Sequence, residues 1–208
     1  MTLAGHFLDD LARAERRNQA CALALYAVNG DAGRNVGDLI HEQVTEGRRR
    51  QWEDARKAGA AWALAMKAGY HSCGDLVAWM LTRLGCRDEA LVNRTDDGGI
   101  RAWQPGRNVT NITGSRFYRR AKDGGTPRPG DPMFLLHGGG HLDILLGWDE
   151  AGHTATVAAY GQPYGRKRVR QIGGSDGRWT LDGSVLDGWL DLDAVEFAAE
   201  PDLTMEEP

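Results

Sequence analysis

The sequence predicts an α+β fold, a helical N-terminal half packed on an antiparallel sheet, and three observations predict it. Apolar residues recur at three-to-four spacing through the first 85 positions. Short apolar runs divided by turn clusters fill residues 133 to 172. The chain of 208 residues, 41% hydrophobic and 26% charged, is long enough to bury one core and has ordinary globular composition.

The elements follow in order. Phe7, Leu8, Leu11, Ala14 and the apolar run 20–28 predict an amphipathic helix over 5–28. "NGDAGRN" (29–35) is a turn cluster. A second helix is predicted over 36–46. A third spans 48–68, where Trp52, Ala55, Gly59, Trp62 and Met66 keep helical spacing until Gly69. In "YHSCGDLVAWMLTRLG" (70–85), Val77, Met80, Leu81 and Leu84 form an i, i+3, i+4, i+7 stripe that Leu76 and Trp79 widen. This helix is predicted to be deeply buried, with Gly85 just past its end. Residues 92–132, rich in Gly, Asn, Pro, Asp and Arg, are too long for a connector and read as a functional or partly ordered loop region. Strands are predicted at "MFLL" (133–136), "HLDILLGW" (141–148), "TATVAAY" (154–160) and "KRVRQI" (167–172), with "DEAG" (149–152) as a hairpin connection. "LDGWLDLDAVEF" (186–197) is a last strand or short helix, and "AAEPDLTMEEP" an acidic disordered tail. The organisation expected is a helical segment over 1–69, a core over 70–197 and a tail over 198–208.

Charge and cysteine usage narrow the functional classes. A formal net charge of −4 gives no overall case for a nucleic-acid partner. The basic runs "GSRFYRRAK" (114–122) and "GRKRVRQ" (165–171) read as solvated loop or strand edge. No stretch approaches the roughly 18 apolar residues of a membrane span. Acids and arginines occupy the N-terminus where a secretory apolar region would lie, so synthesis in the cytoplasm without a signal peptide is expected. The cysteines are Cys21, Cys73 and Cys86, an odd set without motif spacing. Cys73 and Cys86 would sit at opposite ends of one helix, about 20 Å apart at ~1.5 Å per residue. Free thiols are expected.

Cys73 is the residue with chemical promise. Ser72 and Asp75 fit the N-cap and N3 positions of a capping box, which places Cys73 at the first helical position. There, unpaired backbone N–H groups favour a thiolate and can receive an oxyanion. Gly74 opens space beside the sulfur for a substrate backbone. Taken alone, these features fit a buried structural cysteine as well. A nucleophilic thiol needs a base and an orienting group, and His141 opens an apolar strand after "HGGG". On the strand period, His141, Asp143, Leu145 and Gly147 share one face, and Leu142, Ile144, Leu146 and Trp148 share the other.

In this order, a cysteine heading a buried helix, "RPGDPMFLL" (128–136) and "GGHLDILLGW" (139–148) resemble the NlpC/P60 and CHAP families of papain-like cysteine peptidases and amidases. The three elements cover roughly residues 70 to 162. Two departures from the usual motifs are Ser72, where an aspartate is usual, and Pro132, where an apolar residue follows "PGD". The resemblance implies a papain-like fold in which Cys73 and His141 are the catalytic pair. It places the third catalytic group on the strand after the histidine strand, where Gln162 is the first choice and Asp143 the second. Tyr70, Ser72 and Gly74 are the expected substrate and oxyanion residues, and no cofactor or metal is implied. The substrate implied is an amide in a peptidoglycan stem peptide or its link to the sugar, reached by phage or secretion-system delivery, with an immunity or delivery protein as partner.

Rival readings stay open. His137 and His141 have H-x₃-H spacing, with His71, Cys73, Asp143 and His153 as further metal ligands. A non-catalytic papain-like binding or phage structural module is another, and the same pair serves a transglutaminase, deamidase or acyltransferase.

Overall fold

Ala20, Leu23, Ala24, Ala27 and Val28 lie along one side of the first helix, and all five are buried. Their spacing is the amphipathic stripe that drives a helix onto a core. The structure is a computed structural model that describes residues 3–28, 53–54, 56–59, 73–92, 111–136, 140–159, 166–175 and 177–198, and the side chains of those residues except 3–11 and 75. The helix α1 spans Leu3–Val28. The expected turn cluster 29–35, the helix 36–46, most of the helix 48–68 and the acidic end beyond 198 lie outside the described residues.

Helix α2, Cys73–Arg83, is the buried helix expected from the leucine stripe. Leu76, Val77, Ala78, Trp79, Met80, Leu81 and Leu84 are at most 2% exposed, so apolar burial surrounds it. Each such leucine contributes about 1.5–3 kcal/mol, which holds the helix and therefore the position of its first residue. Gly85 adopts φ 75°, with Gly85 N bonded to Thr82 O and Cys86 N to Leu81 O, a Schellman ending. A short helix, α3, follows at Glu89–Val92.

The strands are β1 (Tyr118–Arg120), β2 (Pro132–Leu136), β3 (His141–Asp149), β4 (Thr154–Ala159), β5 (Arg166–Gly173), β6 (Thr180–Leu181) and β7 (Ser184–Leu190). Every pairing is antiparallel, in the order β1-β7-β2-β3-β4-β5-β6, and β6 also pairs with β7. This last pairing closes β2 through β7 into a ring, with β6 covering only Ile172 and Gly173 of β5. The fold is thus α+β. The segment expected as loop over 92–132 holds a helical turn at 111–113, strand β1 and a 3₁₀ turn at Ala121–Asp123. Residues 186–197 resolve into the end of β7 followed by turns.

Two cores result. Outside the ring, α1 and α2 pack on Phe134, Leu142, Ile144 and Ala158. Inside it, Met133, Leu135, Leu145, Val157, Ile172, Trp179, Leu181 and Trp189 fill the lumen. The strand period holds from His141 to Leu145 and then breaks. A bulge between Leu145 and Gly147 shifts the register, so Trp148 turns inward against Trp179 instead of sharing a face with Leu142.

Helix α1 docks on the "PGD" turn. Arg17 Nη1 donates to Pro129 O at 2.8 Å and to Asp131 Oδ1 at 2.9 Å, and Arg17 Nε donates to Asp193 Oδ1 at 2.8 Å. Gly130 has φ 95°, and a Cβ there would stand 3.2 Å from both Ala20 Cβ and Leu192 Cδ1. A side chain at 130 would push the helix off the turn. Among the described residues no helix is long and apolar enough to cross a membrane.

Candidate active site

The position of His141 is set by the residue before it. Gly140 has φ 90°, and a Cβ there would lie 2.5 Å from Phe134 Cε2. Only glycine fits between the end of the "HGGG" approach and that ring. His141 pairs with Leu135, and Asp143 with Met133, so both polar residues sit on the inner face of β3 at the rim of the barrel. Cys73 heads α2 and packs against the outer core. The helix start and the strand start meet at that rim, and the Cys73 thiol lies within hydrogen-bonding reach of the His141 ring.

The other side of the imidazole faces a carboxylate. His141 Nε2 stands 2.9 Å from Asp143 Oδ1. No described N–H is aimed at Oδ1, so the contact is one of charge rather than an aligned hydrogen bond. Asp143 is fully buried, and its second oxygen accepts a hydrogen bond from Arg170 Nε at 2.7 Å. Arg170 Nη1 reaches Asp182 Oδ2 at 3.2 Å. Asp182 itself is pinned in a tight turn at φ 50°, its Oδ1 accepting from Gln171 N at 2.8 Å. A chain of contacts therefore runs Cys73, His141, Asp143, Arg170, Asp182.

This environment sets the protonation of the imidazole. Burial works against the charged ring, but Asp143 and Cys73 outweigh it and raise the His141 pKa from 6.5 to about 10. At neutral pH the ring is an imidazolium facing the Cys73 sulfur, an arrangement able to hold a proton ready for a leaving group.

Of the residues singled out from the sequence, the structure brings together Cys73, His141 and Asp143. Gly74, the second residue of α2, is buried beside the sulfur. Tyr70, Ser72 and Gln162 lie outside the described residues, as does the Asp75 side chain of the expected capping box. The group beside His141 Nε2 comes from its own strand, two residues on. Arg170 was not foreseen, although its alternation with Ile172 in "KRVRQI" puts it on the core face. Cys21, Cys73 and Cys86 are free thiols. For the metal alternative, His71 and His137 lie outside the described residues, and His153 sits in the β3–β4 turn at the far end of β3 from His141. Among the described residues no three His, Cys, Asp or Glu side chains are grouped to hold a metal ion. Compared with known proteins, the chain matches no family model, no curated protein and no solved structure.

Proposed function

We propose that this chain is a papain-like cysteine hydrolase of the NlpC/P60 or CHAP type, cleaving an amide bond in peptidoglycan stem peptides or in a related peptide. The observation that carries the reading is that Cys73 and Asp143 both act on His141, with Asp143 Oδ1 2.9 Å from Nε2. A nucleophile, a proton carrier and an orienting charge are thus in sequence.

The reaction follows from those positions. The Cys73 thiolate attacks the amide carbonyl carbon, forming a C–S bond while the carbonyl electron pair moves to oxygen. Backbone N–H groups at the start of α2 receive that oxyanion. Collapse breaks the C–N bond, and the imidazolium of His141 gives its proton to the departing amine. Neutral His141 then takes a proton from water as the water attacks the thioester, and the sulfur leaves as thiolate. Asp143 stabilises the imidazolium throughout, and Arg170 holds Asp143 in place through its 2.7 Å hydrogen bond. Delivery to a cell wall by phage or a secretion system belongs to this reading.

Purified sacculi incubated with the protein and analysed by mass spectrometry test this reading. New muropeptide termini are expected with the native protein and none with Cys73→Ala of unchanged circular dichroism. Full release by Cys73→Ala would remove the hydrolase. Products carrying a new isopeptide or ester bond would move the same pair to acyl transfer.

A further inference from the structure

We propose that Asp182 is a positioning residue for the Cys73–His141 pair: it takes a share of the Arg170 guanidinium and so leaves Asp143 free to hold the imidazolium. This rests on the hydrolase reading above and adds a residue to its machinery.

The turn explains where Asp182 stands but not what it touches. Leu181 pairs with Ser184, so Asp182 and Gly183 form a two-residue hairpin loop between β6 and β7. Their φ values of 50° and 79° are those of a type I′ turn, in which Asn-Gly serves as well as Asp-Gly. Nothing in that turn calls for a charge. Yet the Asp182 carboxylate lies against β5. The β5–β6 ladder ends at the Ile172–Leu181 pair. Asp182 adds one more rung, its N–H donating to Gln171 O at 2.9 Å and its Oδ1 accepting from Gln171 N at 2.8 Å. The second oxygen is thereby held toward Arg170, and Oδ2 accepts from Nη1 at 3.2 Å.

Arg170 is thus fixed between two carboxylates, Asp143 at Nε and Asp182 at Nη1. Its side chain is 11% exposed and that of Asp182 is 45% exposed, so this contact links the buried end of the network to the surface. Two cations, imidazolium and guanidinium, stand against two carboxylates. Without Asp182 the guanidinium keeps one carboxylate and competes with the imidazolium for it. Cys73 from α2 is the further ionisable neighbour of His141. The lumen side chains that β2, β4 and β7 contribute, among them Met133, Leu135, Val157, Ala159 and Leu186, are apolar. Arg166 and Arg168, on the Arg170 face of β5, are exposed.

Asp182→Asn keeps the turn and the Oδ1 acceptor and removes only the charge. Two NMR signals read the outcome: the imidazole titration of His141, assigned by its loss in His141→Gln, and the side-chain Nε–H of Arg170. The His141 midpoint is expected to fall by about half a pH unit, with the Arg170 signal moving as its bond to Asp143 tightens. Asp182→Gly suits the positive φ and lacks the carboxylate altogether, so it should give the same fall, and it carries the test where the asparagine variant does not fold. An unchanged midpoint in a variant that only melts earlier makes Asp182 a turn residue and overturns the proposal. So does a fallen midpoint with the Arg170 signal unmoved, which makes Asp182 a distant charge. In both cases, iodoacetamide labelling of Cys73 ahead of Cys21 and Cys86 leaves the hydrolase reading standing. Equal labelling of the three thiols in the native chain ends that reading, and with it any role for Asp182 in the reaction.

Discussion

Arg170 Nε donates to Asp143 Oδ2 at 2.7 Å, while His141 Nε2 stands 2.9 Å from the other oxygen of the same carboxylate. One fully buried anion is thus shared between two cations that come from different strands. A lone buried carboxylate would be strongly unfavourable, and the two cations offset the cost of its burial. The barrel brings β5 around to β3, and the helix start brings the Cys73 sulfur to the His141 ring.

Removing one partner of this buried pair should cost more than removing both. Arg170→Met leaves Asp143 with only His141 and is expected to destabilise the fold by about 3–5 kcal/mol. The double variant R170M/D143L should recover a large part of that loss. Urea unfolding of both variants measures the difference.

The His141 proton is linked to stability. Its folded pKa of about 10 lies above the unfolded 6.5, so its stabilisation is full below about pH 6.5 and is lost as pH rises through about 10. Unfolding free energy should therefore fall across that window. In Asp143→Asn the imidazole should titrate at a lower pH and the fall should flatten, both readable from histidine NMR shifts and pH-dependent urea melts.

Much of this was legible in the sequence, and the parts that were not have physical reasons. The stripe from Leu76 to Leu84 and Gly85 defined α2, because periodicity and a glycine stop are local signals. His141 and Asp143 were readable as same-face neighbours because two residues of one strand need no tertiary information. Closure of the barrel was not, since it depends on β6, whose two residues carry no pattern. Strand β1, three residues long inside a polar stretch, was hidden for the same reason. Trp148 was assigned to the wrong face because a bulge leaves the residue order unchanged while shifting every later side chain. Arg170 escaped notice because its contact with Asp143 joins β5 to β3 across the barrel, which no local pattern in the sequence reveals.

Gly140 predicts a steric test. Gly140→Ala would place its Cβ against the Phe134 ring at a φ of 90°, which combines backbone strain with overpacking. Each effect costs about 1–3 kcal/mol, and the strand start that carries His141 should shift. Cleavage should drop in this variant. Phe134→Leu in the same chain should restore part of the stability by clearing the contact, while the backbone strain remains.

The docking of α1 makes a prediction of the same sign in a lower pH window. Burial raises the Asp131 carboxyl from 3.8 to about 6, in spite of Arg17 and backbone N–H donors that favour its charge. Its folded pKa is above the unfolded one, so it imposes a penalty that is present above about pH 6 and is relieved as pH falls toward 3.8. Arg17→Met removes the compensating cation and enlarges that penalty. The variant should be less stable than the native chain at pH 7 and close part of the gap on acidification toward pH 4, as followed by thermal melts.

The pairing of sulfur with imidazole is tested most directly by substoichiometric iodoacetamide, with the modified cysteine identified by peptide mapping in the native chain and in His141→Ala. Cys73 should be labelled ahead of Cys21 and Cys86 in the native chain and should lose that lead in His141→Ala. Even labelling of the three thiols in the native chain, or a Cys73 lead that survives loss of the imidazole, would contradict a working Cys73–His141 pair.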